Sequence, residues 1–235
     1  MPNPTGPYPG RQLFLGLTSD KKPCFVYLVT GRSPESRQRK AITVENNIRI
    51  GPLGNVAYDP LRHYTGVKYD NGSGIAAVSN GIQTEANYET YKLLYNCGTP
   101  VNPDFMKRIM DGANAEPDSL HTPRIAGIAL ENKGNPVLII GIKAFEKPAA
   151  AYRLFPVAGC ISCISTYRGN LDNPEPTDPA VALPALTFAG NSPDTLAKFI
   201  YEISAADYKG DDIRVCSVAG IYSGTAWQIA VINKY

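Results

Sequence analysis

The sequence predicts an α+β fold in which two antiparallel sheets are stacked and a few helices pack outside them. Apolar, β-prone runs recur in pairs separated by short turn signals, which is typical of hairpins. Other segments combine a helix-start signal with apolar residues at helical spacing, and such helices need a sheet face to bury their apolar side. We expect residues 1–235 to form one domain, because this length and the 43% hydrophobic content suit a single core.

Three hairpins are predicted in the first part of the chain. They pair residues 13–17 with 24–30, residues 66–69 with 75–79 around Asp70-Asn71-Gly72, and residues 125–130 with 136–142 around the turn 132–135. Further strands are predicted at residues 152–155, 159–165, 213–219 and 227–232. Residues 169–184 are rich in Pro, Asp and Asn, which indicates a long surface loop.

Helices are predicted at three places. Ser192-Pro193-Asp194 and Asn102-Pro103-Asp104 each combine a capping residue, a first-turn proline and an early acid, and apolar residues follow both at helical spacing. A third helix is expected to open at Thr84-Glu85 and to end near Gly98.

The composition excludes several classes of protein. A formal net charge of +2 argues against nucleic acid as the main partner, since such proteins usually carry a clear Lys/Arg excess. No apolar run approaches the roughly 20 residues that span a bilayer, and the N-terminal residues lack a signal-peptide pattern. We therefore expect a cytoplasmic protein with neither nucleic acid nor membrane as partner.

The five cysteines have an odd count and no regular spacing, which argues against a secreted disulfide framework. Cys160 and Cys163 have C-x-x-C spacing, but no second such pair completes a zinc site. The pair lies in an apolar run, so we interpret both residues as buried strand cysteines and expect no metal.

A basic cluster, Arg32, Ser33, Arg37 and Arg39, follows the second predicted strand. Guanidinium groups suit phosphate because their planar fork donates two parallel hydrogen bonds, and the hydroxyl of Ser33 would add a donor. The cluster therefore indicates an anion site, although a solvated basic loop has the same composition.

Tyr64 lies in a stretch that also contains Arg62, His63 and Lys68. Neighbouring positive charge lowers the pKa of a phenol, which would suit Tyr64 for general acid or base catalysis. The alternative is an ordinary aromatic side chain packed at the start of a strand.

The turn after the predicted strand 75–79 supplies further candidates. Ser79, Asn80 and Gly81 close a predicted strand and lead into a helix, where backbone N–H groups can face an anion or a carbonyl oxygen. This segment is equally consistent with a simple turn.

Glu116 is an isolated acid in a loop, where an acid usually faces solvent, and Thr122 and Arg124 stand at the mouth of an apolar strand, where a lone arginine is commonly a surface residue. The two histidines, His63 and His121, each lie in one of these clusters, but two are too few for a histidine-based metal site.

Taken together and in this order, these clusters resemble the archaeal-type IMP cyclohydrolases. The residues that carry the resemblance are Gly10-Arg11, Tyr27, Gly31-Arg32-Ser33, Arg37, Asp59-Pro60, Tyr64, Ala77-Val78-Ser79-Asn80-Gly81, Thr84, Glu116 and Thr122-Pro123-Arg124-Ile125-Ala126. The resemblance covers roughly the first 145 residues, and the last third is similar only in its pattern of strands and helices. The chain departs from the family pattern in an N-terminal extension before Gly10, in a longer stretch between the predicted helix 102–111 and Thr122, and at Thr65-Gly66 and Ile82-Gln83.

The resemblance implies a four-layer αββα sandwich similar to the N-terminal nucleophile hydrolases, here without an N-terminal nucleophile. It also implies the last step of de novo purine biosynthesis, in which 5-formamido-1-(5-phospho-ribosyl)imidazole-4-carboxamide (FAICAR) loses water to give inosine monophosphate (IMP). That ring closure chemically requires neither a redox cofactor nor a metal, so we expect no cofactor.

The resemblance suggests roles for the candidate residues. Tyr64 would transfer a proton, with Arg32 or Lys68 as the assisting cation, and Glu116 would either accept a hydrogen bond from the carboxamide or act as its base. Tyr64, Glu116 and Arg32 are the residues expected to be catalytic. The residues expected to bind or orient the substrate are Ser33, Arg37, Lys68, Ser79, Asn80, Gly81, Thr122 and Arg124.

Two other functions fit the same residues. One is an amidohydrolase of the same fold, which would need an exposed nucleophilic N-terminus after processing. The other is a non-catalytic sensor that binds purine nucleotides without turnover. A homo-oligomer is compatible with the expected sheet edges and helix faces, although no residue of the sequence indicates one.

Overall fold

The computed structural model describes residues 1–132, 134–180 and 182–235, which contain two large antiparallel sheets and four α-helices. This confirms the predicted α+β class. Of the predicted hairpin turn 132–135 and the predicted loop 169–184, Lys133 and Val181 lie outside the described residues.

The first large sheet has six strands. In spatial order they are β13 (Ala185–Thr187), β10 (Cys160–Ser165), β1 (Arg11–Leu17), β2 (Pro23–Thr30), β16 (Arg214–Tyr222) and β17 (Trp227–Asn233). The predicted hairpin of β1 and β2 is confirmed, with Leu13 opposite Tyr27. Chain segments from both ends of the sequence therefore meet in this sheet.

The second large sheet has seven strands, in an order that follows the chain. They are β3 (Arg39–Val44), β4 (Asn47–Pro52), β5 (Tyr64–Asp70), β6 (Ile75–Ser79), β7 (Arg124–Leu130), β8 (Val137–Lys143) and β9 (Ala150–Leu154). The hairpins of β5 with β6 and of β7 with β8 are as predicted. The hairpin of β3 and β4 has no counterpart in the sequence-based expectation, which treated its start as a basic turn.

Short elements complete the chain. Two two-stranded sheets pair β11 (Tyr167–Gly169) with β12 (Pro174–Pro176) and β14 (Asp207–Tyr208) with β15 (Asp211–Asp212). The helices are α1 (Pro34–Arg37), α2 (Gln83–Asn96), α3 (Pro103–Ala113) and α4 (Pro193–Ile203). The predicted caps are confirmed: Asn102 accepts a hydrogen bond from the backbone N–H of Asp104 at 2.9 Å, and Ser192 from that of Thr195 at 3.2 Å.

The core lies in three layers of apolar contacts. Side chains of both large sheets, among them Leu13, Phe25, Val67 and Ile125, form one buried cluster between the sheets. A second cluster joins the opposite face of the six-stranded sheet to α4, and a third joins the opposite face of the seven-stranded sheet to α2 and α3. The helices α2, α3 and α4 thus bury their apolar sides on a sheet, as amphipathic helices require.

The structure also describes the lengths of the helices and the surroundings of the cysteines. Among the described residues no helix is long and apolar enough to cross a membrane. The five cysteines are unpaired, and of the C-x-x-C pair Cys163 is buried whereas Cys160 is half-buried. Burial raises the pKa of the Cys163 thiol to about 12, so this thiol stays protonated and inert.

Candidate active site

Distant parts of the chain meet at one end of the two large sheets. Arg11 begins β1, Tyr64 begins β5, Arg124 begins β7 and Asn80 directly follows β6, while Glu116 lies in the loop between α3 and β7. A cavity of about 290 Å³ opens at this end. Its charged and aromatic lining consists of Tyr8, Arg11, Arg32, Arg39, Asp59, Arg62, Glu116, Asp118 and Tyr167.

Glu116 is at the centre of this group. Its side chain is only 2% exposed, and its Oε2 lies 2.5 Å from Nη2 of Arg11. Its Oε1 accepts a hydrogen bond from Nδ2 of Asn80 at 2.9 Å. Burial alone would lower the pKa of Arg11, but the charge of Glu116, its hydrogen bond and the nearby phenols of Tyr64 and Tyr27 together outweigh burial and raise this pKa, so Arg11 is a cation. An acid expected to face solvent is therefore held inside the protein.

Asn80 ties the end of β6 to the segment that precedes β7. Its Oδ1 accepts from the backbone N–H of Ile125 at 2.7 Å and from Nε2 of Gln83 at 3.1 Å, while its Nδ2 also donates to the carbonyl of Pro123 at 3.0 Å. Every polar atom of the Asn80 amide is thus occupied, which fixes the direction in which Asn80 presents its N–H to Glu116.

Arg124 is buried against the turn that follows β6. Its Nη1 donates to Oε1 of Gln83 at 3.3 Å. A Cβ added at Gly81 would lie 2.5 Å from the same Nη1, so the absence of a side chain at Gly81 makes room for the guanidinium. Burial lowers the pKa of Arg124, although Glu116 opposes this shift.

Tyr64 faces the core between the sheets because the pairing of β4 with β5 shifts register between Ile48 and Arg49. This irregularity places Tyr64 and Val67, three residues apart, on the same face. The hydroxyl of Tyr64 lies 2.7 Å from that of Tyr27, and both are buried.

The pKa of Tyr64 differs from the expectation. Burial raises it above the usual value of a phenol, even though the positive charges of Arg11 and Arg39 act to lower it. The expected lowering by neighbouring cations is therefore wrong, because desolvation of the phenolate outweighs their attraction. Tyr64 is a neutral phenol and hence a proton donor at neutral pH.

The basic cluster is only partly available to a ligand. Nη1 of Arg32 donates to the carbonyls of Leu171 and Asp172 at 2.8 and 3.0 Å, and its guanidinium lies over the ring of Tyr8. Arg37 is buried and forms a 2.6 Å ion pair with Asp211.

Ser33 and its neighbours also line the cavity. The hydroxyl of Ser33 caps α1 by accepting from the backbone N–H of Ser36 at 3.1 Å. Nε of Arg39 donates to the carbonyl of Ser36 at 2.7 Å. A second cavity of about 410 Å³ also borders Arg32 and Ser33, so the two cavities adjoin.

Two other predicted residues, Lys68 and Ser79, do not line the cavity. Lys68 pairs with Glu85 and Glu89 of α2 at 2.5 and 2.9 Å, on the helix side of the sheet. The hydroxyl of Ser79 bonds within the turn, to Thr84 and to the carbonyl of Gly81. The structure therefore does not bring Lys68 together with Tyr64.

Thr122 contacts two residues that line the cavity, Asp118 and Tyr167. Its hydroxyl contacts Oδ2 of Asp118 at 2.5 Å and the hydroxyl of Tyr167, and its carbonyl accepts from the backbone N–H of Glu116 at 2.9 Å. Burial raises the pKa of Tyr167 to about 12. These contacts hold the Glu116 loop in place.

The two histidines do not contact the group formed by Glu116, Arg11 and Asn80. Nδ1 of His63 accepts from the backbone N–H of Asp59 at 2.8 Å, and His63 borders another, mainly apolar cavity with Ile42, Tyr58 and Tyr64. The ring of His121 stacks on that of Phe145 with centroids 3.9 Å apart. In the described part of the chain, no group of three or more His, Cys, Asp or Glu side chains could hold a metal ion.

Arg11, Tyr27 and Tyr167 are site residues that the sequence-based candidates omitted. Arg11 and Tyr27 stand within the stretches that carry the family resemblance, which is the signal that could have selected them. Tyr167 has no such signal, because it reaches the cavity only through the pairing of β10 with β1.

Comparison with known protein families places nearly the whole chain in one family. A family model described as IMP cyclohydrolase-like protein matches residues 8–233, which is nearly the whole chain. No curated protein matches the chain. The chain belongs to the IMP cyclohydrolase-like protein family.

Proposed function

We propose that the protein is an archaeal-type IMP cyclohydrolase, which closes the purine ring of FAICAR to give IMP and water. The observation that carries the proposal is the buried group formed by Arg11, Glu116 and Asn80 beside the neutral phenol of Tyr64. Glu116 and Arg11 line the cavity that has several cationic side chains, while Tyr64, on whose pKa both of their charges act, lines the apolar cavity beside His63. Together they supply a fixed proton acceptor and a proton donor, as the dehydration of an anionic substrate requires.

The packing also supports the proposed four-layer αββα sandwich similar to that of the N-terminal nucleophile hydrolases. Apolar clusters lie between α4 and the six-stranded sheet, between the two sheets, and between the seven-stranded sheet and the helices α2 and α3. The site lies at the end of the space between the sheets.

The ring closure needs two proton movements. The carboxamide nitrogen of FAICAR attacks the formyl carbon, and Glu116 accepts one proton from that nitrogen. Although both Glu116 oxygens already accept hydrogen bonds from Arg11 and Asn80, each carboxylate oxygen has two acceptor sites. One acceptor site on each oxygen therefore remains free, and the substrate amide can use either.

The formyl oxygen then leaves as water. Tyr64 donates a proton to this oxygen, and Glu116 passes on the proton it took from the carboxamide as the C–O bond breaks and water leaves. The formamide nitrogen gives its proton to the Tyr64 phenolate as the ring C=N bond forms, so both residues return to their starting states. The two protons lost by the nitrogens balance the two carried away by water. Arg11 and Arg39, whose charges act on Tyr64, would stabilise its phenolate while it is deprotonated.

Binding of the phosphate is assigned to the rim where the two adjoining cavities share Arg32 and Ser33. Together these cavities reach the size of ordinary small-molecule sites. Arg37 is a weaker candidate, since Asp211 already neutralises its charge. Within the described residues, the buried Nε atoms of Arg11 and Arg124 have no hydrogen-bond partner, as expected of donors reserved for a ligand.

Removing the proposed contact between Arg32 and phosphate should affect the binding of IMP and of inosine to different extents. We expect Arg32→Ala to weaken the binding of IMP about tenfold more than that of inosine, which lacks the phosphate, because a charge-assisted contact is lost. Isothermal titration of both ligands measures this. Lys68→Ala is the matched control, because Lys68 faces α2 and should leave both affinities unchanged. Equal losses for IMP and inosine would show that Arg32 does not contact phosphate.

A methyl group at Gly81 tests the position of Arg124. We expect Gly81→Ala to lower kcat/KM for FAICAR about tenfold, the scale of one charge-assisted hydrogen bond, because the new Cβ displaces the guanidinium. The melting temperature should change little, since a flexible side chain can move aside. Gly112→Ala in α3 is the control, because its Cβ would meet no atom within 4 Å. Unchanged kinetics in Gly81→Ala would remove Arg124 from the site.

The proposed activity is tested by mixing purified protein with FAICAR and following IMP by absorbance. Turnover supports the cyclohydrolase. IMP binding without turnover would favour a nucleotide sensor instead, and the intact mass of the chain would reveal the processed N-terminus that an amidohydrolase needs. We further propose a cytoplasmic protein whose partner is a small-molecule purine nucleotide, in keeping with the net charge of +2.

A further inference from the structure

The hydroxyl groups of Tyr27 and Tyr64 form an isolated hydrogen-bonded pair. Their oxygens are 2.7 Å apart. The Tyr27 side chain is fully buried, and among the described residues its hydroxyl has no hydrogen-bond partner except Tyr64. The direction of this one hydrogen bond therefore decides where both hydroxyl protons point.

The difference in exposure between the two side chains selects the direction, because Tyr27 is fully buried whereas Tyr64 is 9% exposed and can offer its proton to a ligand. If Tyr64 donated to Tyr27, the proton of the Tyr27 hydroxyl would be buried without an acceptor, which is a costly arrangement. If Tyr27 donates to Tyr64, the Tyr27 proton is satisfied and the Tyr64 proton stays free. The second arrangement is favoured, and it leaves Tyr64 with a proton to give to another molecule.

Packing holds Tyr27 in the place that this bond requires. Tyr27 lies on β2 between Leu13 of β1 and Val218 of β16, in the centre of the six-stranded sheet. Across the space between the sheets its ring lies against Gly66, where an added Cβ would come within 3.0 Å of the ring. The Tyr27 ring has little freedom to turn away from Tyr64.

We propose that Tyr27 is a positioning residue, which donates its hydroxyl proton to the Tyr64 oxygen and so directs the Tyr64 proton toward the substrate. This inference rests on the proposed function of Tyr64 as the proton donor to the formyl oxygen. Donation from Tyr27 also stabilises the Tyr64 phenolate that forms during the reaction, since a hydrogen bond to the charged form favours that form.

The test is Tyr27→Phe, which keeps the ring and removes the hydroxyl. We expect kcat for FAICAR to fall about tenfold, the rate effect of one hydrogen bond, with KM within about twofold of the wild type. Tyr91→Phe is the matched control. Tyr91 lies in α2 and is equally buried, and its hydroxyl donates to the carbonyl of Asn102 and accepts from the backbone N–H of Met106. This variant should keep its kcat while losing some stability.

A second readout separates this inference from the proposed function. Fluorotyrosine incorporated at position 64 reports the titration of that phenol by NMR, whether or not FAICAR is turned over. We expect Tyr27→Phe to move this titration to higher pH, because the bond that stabilises the phenolate is lost. If wild-type protein fails to convert FAICAR, the proposed function is contradicted, but the titration still decides on Tyr27. An unchanged titration, or a kcat within twofold of the wild type, would overturn the role of Tyr27.

Discussion

Replacing Tyr64 by Phe is expected to lower kcat for FAICAR by about 10²–10⁴-fold, the range that general acid catalysis contributes. The affinity for IMP should change less than about threefold, because the ring stays in place and a single neutral hydrogen bond is lost. Steady-state kinetics and isothermal titration measure the two effects. A variant with near-normal kcat would remove Tyr64 from the chemistry.

The state of Tyr64 also predicts a pH dependence. Burial raises the pKa of its phenol above the usual value near 10, so the proton-donating form persists at every pH below that value. The loss of activity due to Tyr64 should therefore occur only above pH 10, and this alkaline limb should be missing from the residual activity of Tyr64→Phe.

Replacing Glu116 by Gln is expected to have the largest effect on stability. The neutral amide leaves Arg11 as a buried cation without its ionic partner, which costs about 3 kcal/mol of unfolding free energy. For a chain of this length, that loss corresponds to a fall of about 9 °C in melting temperature. Turnover should also be lost, since Gln cannot accept the carboxamide proton.

A surface ion pair provides the control for Glu116. Glu85 contacts Lys68 at the same 2.5 Å distance that joins Glu116 to Arg11, but the Glu85 side chain is 52% exposed. Glu85→Gln should therefore cost less than about 1 kcal/mol. Calorimetry of both variants compares the loss of a buried ion pair with the loss of an exposed ion pair of the same N–O distance. If Glu116→Gln were no less stable than Glu85→Gln, the buried ion pair would not hold the site together.

Most regular elements could be predicted from local signals in the sequence. The turn Asp70-Asn71-Gly72 and the caps Asn102 and Ser192 act within a few residues, so their hairpin and helices were found. The hairpin of β3 and β4 was missed because it turns at Glu45, which adopts a positive φ of 51° without a glycine to announce it.

The candidate site was predictable only in part, because its members are joined by contacts between distant residues. Tyr64 and Lys68 are four residues apart, so a regular strand would place them on one face. The register shift beside Arg49 separates them, and no residue type announces it. Glu116 looked like a surface acid because its partner, Arg11, lies 105 residues away in the sequence.

The most direct test of the account is a crystal structure of the protein with IMP bound. We expect the purine ring within hydrogen-bond distance of the Tyr64 hydroxyl and the Glu116 carboxylate, with the phosphate at Arg32. IMP bound instead in the apolar cavity beside His63 and Ile42, with the Glu116 cavity empty, would contradict the assignment of the active site.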